Sequence, residues 1–268
     1  MKRVLTSIVL VPVLLYILLY TSSSLFLAIT IIITVTAFWE YSRLTIPKAD
    51  KVGMALGMFL GGFLIVFIYW RGLYILPWFL VVAIFLFFLY SLVSYKDVSS
   101  TIINVGIWLL GFLYIPFLLS FMVLVRELEY GKWWLFFLFA VIWGNDTFAY
   151  YIGGWFGKHK LSPIISPKKT VEGALGGLVG GGGVALLFHY LVFDGASVLG
   201  LVIFAIFLSV IGQIGDLFES LLKRSVGAKD SGFIIPGHGG ILDRIDSIIF
   251  SLPLLYYYLR WQEGLWLW

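Results

Sequence analysis

Nine runs of apolar residues, each close to the length needed to cross a bilayer, leave this chain few ways to fold. They fall at about 4–20, 25–43, 52–70, 73–93, 102–125, 133–152, 171–193, 198–222 and 241–259. A hydrocarbon core about 30 Å thick takes about 20 helical residues. Backbone polar groups at that depth must be satisfied within the chain, which helices do and open strands do not. The pattern predicts an all-α, polytopic integral membrane protein with about nine transmembrane helices. Composition agrees, with 61% hydrophobic and only 12% charged residues, where soluble domains carry about 25% charged. Met1-Lys2-Arg3 before the first run has the charged start of a signal peptide. Eight further runs favour a retained first helix instead.

The connections between runs set an orientation. Lys2, Arg3, Arg43, Lys48, Lys51, Lys96, Lys158, Lys160, Lys168, Lys169, Lys223, Arg224, Lys229 and Arg244 fall on one side; Arg71, Arg126, Lys132 and Arg260 fall on the other. By the positive-inside rule the N-terminus is expected in the cytoplasm and the C-terminus outside.

Polar chemistry is confined to the second half. Residues 1–130 read as scaffold helices, whose apolar surface suits lipid contact or a homodimer interface. Glu40 and Arg43, three apart, read as a local ion pair at a helix end. Residues 131–268 form the expected catalytic region, with cytoplasmic loops at 153–170 and 223–240. Asp146, Tyr150 and Gly153 or Gly154 recur at helical spacing on the sixth run. Lys168 and Lys169 follow Pro167, and Thr170 is placed to cap the next helix, an arrangement suited to phosphate. The seventh run holds Gly173, Gly176, Gly177, Gly180, Gly181, Gly182 and Gly183. Without a preceding strand or a GK[ST] ending, these glycines read as a helix-packing surface rather than a phosphate loop.

The densest polar stretch is Gly215–Ser247, GDLFESLLKRSVGAKDSGFIIPGHGGILDRIDS, set between two apolar runs. Charges at membrane depth are expensive and point to function. With a rise of about 1.5 Å per residue, Asp146 and Asp216 lie about 9 Å below the inner surface, and Asp243 and Asp246 about 3 and 8 Å. Four carboxylates thus share one shallow layer. Asp216, Ser220 and Lys223 are spaced i, i+4, i+7, and Asp243 and Asp246 are spaced i, i+3, so each set shares a helix face.

Crowded carboxylates repel unless a cation offsets them. The chain has no cysteine, which excludes disulfides, thiolate metal sites and cysteine nucleophiles. Oxygen ligands alone favour Mg²⁺, which commonly bridges carboxylates to a substrate's phosphates. Lys223, Arg224, Lys229 and Arg244 would suit a polyanion, and the glycines of Gly232–Gly240 allow close backbone approach to phosphate oxygens. His238 reads as a phosphate or base contact. Nothing in the sequence supports a nucleic-acid role. The residues thus describe a metal-dependent enzyme acting on a phosphorylated substrate at the cytoplasmic membrane surface.

Residues 220–247, SLLKRSVGAKDSGFIIPGHGGILDRIDS, resemble the signature of the phosphatidate cytidylyltransferases, or CDP-diacylglycerol synthases. The pattern Ser-x2-Lys-Arg-x4-Lys-Asp-x-Gly-x2-Ile-Pro-Gly-His-Gly-Gly-x2-Asp-Arg-x-Asp is met at every position. Asp146–Gly177 is similar to a second block of the family through D-T-x-A-Y, F-G-K, S-P-K-K-T and E-G. The resemblance implies the joining of CTP and phosphatidate to give CDP-diacylglycerol and pyrophosphate, with Mg²⁺ and either one cation or two. It places Asp216, Asp243 and Asp246 at the metal. It assigns Lys223, Arg224, Lys229 and Arg244, with Lys168 and Lys169, to the phosphates. Ser220, Asp230 and His238 would orient the nucleotide or the loop. The lipid phosphate itself attacks the α-phosphorus, so no protein nucleophile is required. Asp146 stays open between a further ligand and a partner for a cation.

A CTP-dependent lipid kinase of the dolichol-kinase type differs in the lipid acceptor, and a secondary transporter predicts flux without CTP turnover. A CDP-alcohol phosphotransferase would need a D-G-x2-A-R core, and the chain has no such run.

Overall fold

The computed structural model describes residues 2–46, 50–94, 98–234 and 239–264. They are overwhelmingly helical: α1 (Lys2–Tyr20), α2 (Ser23–Thr45), α3 (Lys51–Arg71), α4 (Leu76–Ser94), α5 (Val98–Phe112), α6 (Leu118–Glu127), α7 (Gly131–Phe156), α8 (Val171–Leu191), α9 (Val198–Ser225) and α10 (Leu242–Gln262). A two-stranded antiparallel hairpin, β1 (Lys160–Ser162) and β2 (Ser166–Thr170), stands between α7 and α8. Among the described residues, six segments are long and apolar enough to cross a membrane: Ser23–Thr45, Lys51–Ser94, Thr101–Glu127, Gly131–Phe156, Val171–Leu191 and Val198–Ser225. The protein is therefore a polytopic integral membrane protein built on helices. Segment Lys51–Ser94 is interrupted by a 3₁₀ turn at Gly72–Ile75, where Gly72 takes φ of 64° and ends α3. That backbone conformation favours glycine.

The described residues form two compact units. One comprises Met1–Leu128 and Asp230–Arg244, the other Glu129–Lys229 and Ile245–Glu263.

In the first unit, α2 buries Phe26, Thr30, Thr34, Ala37, Phe38 and Tyr41, a stripe at helical spacing. The hydroxyls of Thr30 and Thr34 donate to the carbonyls of Phe26 and Thr30 at 2.9 and 2.8 Å, so neither is left unsatisfied among apolar neighbours. Gly57 of α3 and Gly111 of α5 lie against the rings of Phe38 and Tyr41, where a Cβ would collide. Between α5 and α6 the chain makes a π-helical turn, Leu113–Phe117, which contains Pro116. Proline lacks the N–H that would continue the regular ladder, so the single predicted run 102–125 becomes two helices with a bulge. Arg126, assigned from sequence to the outer-side loop charges, is 5% exposed. Its guanidinium donates to the carbonyls of Leu18 and Thr21, both at 2.6 Å, and so caps the end of α1.

In the second unit, Gly173, Gly176, Gly177, Gly180 and Gly181 of α8 pack closely against their neighbours, as their spacing predicts, while Gly182 has only an ordinary contact and Gly183 faces open space. A Cβ on Gly173 would stand 2.8 Å from the Ala149 carbonyl of α7, and one on Gly180 would stand 2.7 Å from the Gly144 carbonyl. Small residues allow helices to approach closely where no water-driven force draws them together. Elsewhere in this unit, Tyr258 of α10 stacks on Phe204 of α9 with ring centroids 3.6 Å apart.

Candidate active site

The segment read as a loop at 153–170 is mostly ordered. α7 continues to Phe156, and the hairpin pairs Lys160 with Thr170 and Ser162 with Ser166. Glu172, in the first turn of α8, accepts from the backbone N–H groups of Lys158 and His159 and contacts the His159 ring at 2.6 Å. Thr170 caps α8 by accepting from the Gly173 N–H at 3.1 Å. The hairpin is thereby fixed to the start of α8. On β2, Pro167 and Lys168 are exposed, and burial rises through Lys169 to Thr170 as the strand meets the start of α8.

Lys169 pairs with Asp216 of α9. Around that pair lies a cavity of about 70 Å³ whose polar lining includes Asn145, Asp146, Lys169, Gln213 and Asp216. Gln213 precedes Asp216 by three residues and so shares its face of α9. Its amide donates to Asn145 Oδ1 at 2.7 Å and to the Ala174 carbonyl of α8 at 3.0 Å. Asn145 in turn donates to Asp146 Oδ1 at 3.1 Å. Three helices are thus joined by an amide relay that ends on a carboxylate in the cavity wall. Asp246 of α10 interacts electrostatically with Asp216, Asp146 and Lys223. Lys223 pairs with Glu219, four residues earlier and 0% exposed.

Within the second unit the structure therefore brings Asp146, Asp216, Asp246, Lys169 and Lys223 into one electrostatic neighbourhood. Arg224 is exposed; its guanidinium donates to the Ile165 carbonyl at 3.3 Å and to the Ala228 carbonyl at 2.9 Å, tying the hairpin turn to the end of α9. Ser220 is half-buried, and Lys229 is exposed.

In the first unit, Asp243 Oδ2 accepts from the Ser231 N–H at 2.9 Å, the Ser231 hydroxyl at 2.9 Å and the Gly240 N–H at 2.8 Å. Asp230 and Arg244 are exposed there. His238 lies outside the described residues.

Asn145, Gln213 and Glu219 are the polar residues of this neighbourhood that sequence reasoning passed over. Gln213 was visible as an isolated polar side chain in an apolar run, whereas Asn145 and Glu219 stand directly beside Asp146 and Ser220, which drew the attention instead. Among the described residues no three carboxylate or imidazole side chains stand grouped to hold a metal ion. At Asp216 a lysine ammonium supplies a positive charge.

The sequence profile of the cytidylyltransferase family matches residues 1–262. The chain belongs to that family. It is 44% identical over 162 residues to the phosphatidate cytidylyltransferase of Bacillus subtilis, covering 60% of each protein. It is 50% identical over 137 residues to the phosphatidate cytidylyltransferase of Staphylococcus saprophyticus, covering 51% of this chain and 53% of that one. The Staphylococcus haemolyticus protein of the same name is 42% identical over 162 residues, 60% of this chain and 59% of that one. The matched part thus spans a little over half the length of these relatives.

Proposed function

We propose that the protein transfers a cytidylyl group from CTP to phosphatidate, forming CDP-diacylglycerol and pyrophosphate. The observation that carries this reading is the Lys169–Asp216 pair at a cavity among apolar helices, in a chain of the cytidylyltransferase family. A phosphate oxygen of the lipid attacks the α-phosphorus of CTP. The bond to the bridging oxygen breaks, and pyrophosphate leaves with that electron pair. The protein supplies no nucleophile; it positions two anions and offsets their charge.

The lysines and arginines divide that work. Lys169 is drawn from Asp216 to a substrate phosphate, and Lys168, Lys223, Arg224, Lys229 and Arg244 add positive charge around the polyphosphate. Ser220, Asp230 and His238 orient the nucleotide. Oxygen donors suit Mg²⁺, which is commonly held by one or two carboxylates together with substrate phosphates and so needs no protein cage of three. Asp216 and Asp246 would hold it, with Asp146 the further carboxylate in their field and Asp243 the third ligand that the family signature implies. When bound, the ion would stabilise charge on the phosphates.

Nine spans follow if α1, α3, α4 and α10 each cross singly and α5 with α6 cross as one. That count puts the N-terminus and the site on the cytoplasmic side, where the loop lysines and arginines concentrate. Purified protein in liposomes should release pyrophosphate only when CTP, phosphatidate and Mg²⁺ are all present. Release without phosphatidate would point to CTP hydrolysis and remove the lipid from the reaction.

A further inference from the structure

Glu40 is buried in α2, 1% exposed, and the local ion pair expected with Arg43 is not what it forms. Arg43 instead lies over the Trp39 ring, 4.9 Å from its centroid. Glu40 Oε2 accepts from the N–H of Leu242, the first residue of α10, at 2.9 Å. The Ser231 hydroxyl lies 3.4 Å from the same oxygen and also donates to Asp243 at 2.9 Å. Oε1 is buried without a hydrogen-bond partner among the described residues.

A carboxylate gains nothing from its place in α2, because the C-terminal end of a helix favours cations. Its compensation lies across the chain, at the N-terminus of α10, where free N–H groups and the helix dipole favour an anion. Room has been made for it on both sides. A Cβ on Gly232 would stand 2.6 Å from Oε1, and one on Gly240 would stand 2.5 Å from Oε2. The two glycines belong to the family signature, yet their neighbour is an acid 192 and 200 residues earlier in the chain.

We propose that Glu40 is a positioning residue of the candidate active site: its carboxylate fixes Ser231 and the first turn of α10, and through them sets the carboxylate of Asp243. The inference extends the proposed cytidylyl transfer to a residue of the scaffold half. A hydrocarbon side chain would serve packing alone at far lower risk, since a buried carboxylate is costly unless its hydrogen bonds matter.

Two readouts test it. Hydrogen–deuterium exchange on the substrate-free protein needs no activity: Glu40→Ala should expose the Leu242 and Gly240 amides to faster exchange, while Glu40→Gln, which keeps an acceptor, should not. In turnover assays, Glu40→Ala should lower kcat and raise the Mg²⁺ needed for half-maximal rate by about 10- to 100-fold, the usual loss for partners one step removed from a site. Glu40→Gln should recover most of the loss. Gly232→Ala, which would push the carboxylate aside without removing it, should behave like Glu40→Ala and serves if that variant does not fold. Wild-type exchange and wild-type Mg²⁺ dependence in Glu40→Ala would overturn the proposal, as would Glu40→Gln failing as badly as Glu40→Ala. A wild-type protein without transfer activity would refute the proposed function, while the exchange experiment would still decide the role of Glu40.

Discussion

Replacing Lys169 by alanine separates a catalytic lysine from a topogenic or structural one. Its ammonium pairs with Asp216, and the two side chains are 28% and 33% exposed. The ammonium nitrogen itself is buried, but Asp216 keeps a third of its side chain open to water. The variant thus leaves a carboxylate that water still reaches, and ion pairs screened in this way contribute about 1 kcal/mol or less to stability. The fold should therefore lose little: the variant should express, remain monodisperse in detergent and melt close to the wild type. Catalysis should lose far more. A fixed cation beside charge developing on a transferring phosphoryl group is comparable to an oxyanion donor, whose removal costs about 100- to 1,000-fold in rate, or about 3–4 kcal/mol. Initial rates of pyrophosphate release at varied CTP and phosphatidate, with melting followed in parallel, give both quantities. A kcat/KM within a few-fold of the wild type would return Lys169 to the loop charges that only orient the protein. A large drop in melting temperature would make the Lys169–Asp216 bridge structural and would undercut the account.

Other substitutions test the supporting structure. Gly180→Val would set a side chain 2.6 Å from Phe148 and 2.7 Å from the Gly144 carbonyl; overpacking of this kind costs about 1–3 kcal/mol, read as a lowered melting temperature in detergent. Gln213→Leu removes the donor to Asn145 and to the Ala174 carbonyl. A buried acceptor left without its donor costs about 1–3 kcal/mol, and kcat should fall with stability because Asp146 loses the support behind Asn145; unchanged turnover would make the relay purely structural. Asp243→Asn retains the shape of a residue that accepts three hydrogen bonds while removing its charge. It should fold, as judged by an unaltered elution profile, and should release no pyrophosphate; retained release would take Asp243 out of the metal site.

Much of the fold was legible because hydrocarbon demands a simple pattern. The runs at 25–43, 133–152 and 198–222 became helices Ser23–Thr45, Gly131–Phe156 and Val198–Ser225. The helices outlast the runs, since an α-helix continues through the polar residues at a membrane surface where hydropathy already falls. The packing role of the α8 glycines was legible for a related reason: small residues at helical spacing have one obvious use in lipid.

Other features had no periodic signal. A hairpin of three- and five-residue strands is too short to show alternation, and its register depends on Glu172 and Thr170 holding it to α8. The site was legible as a set of charges on α9, the hairpin and the start of α10. Which charge meets which was not, because pairings such as Lys169 with Asp216 join residues far apart in the chain. Glu40 shows the limit most clearly: spacing proposed a neighbour three residues away, and the fold supplied one 202 residues away.

The most direct test of the central claim follows the label rather than the rate. Purified protein is incubated with phosphatidate, Mg²⁺ and CTP labelled at either the α- or the γ-phosphate, and the lipid fraction is counted. Cytidylyl transfer predicts label in the lipid from α-labelled CTP alone, with the γ-label recovered in pyrophosphate. Label entering the lipid from the γ-position would identify a lipid kinase and contradict the account, as would a lipid fraction that stays unlabelled from both.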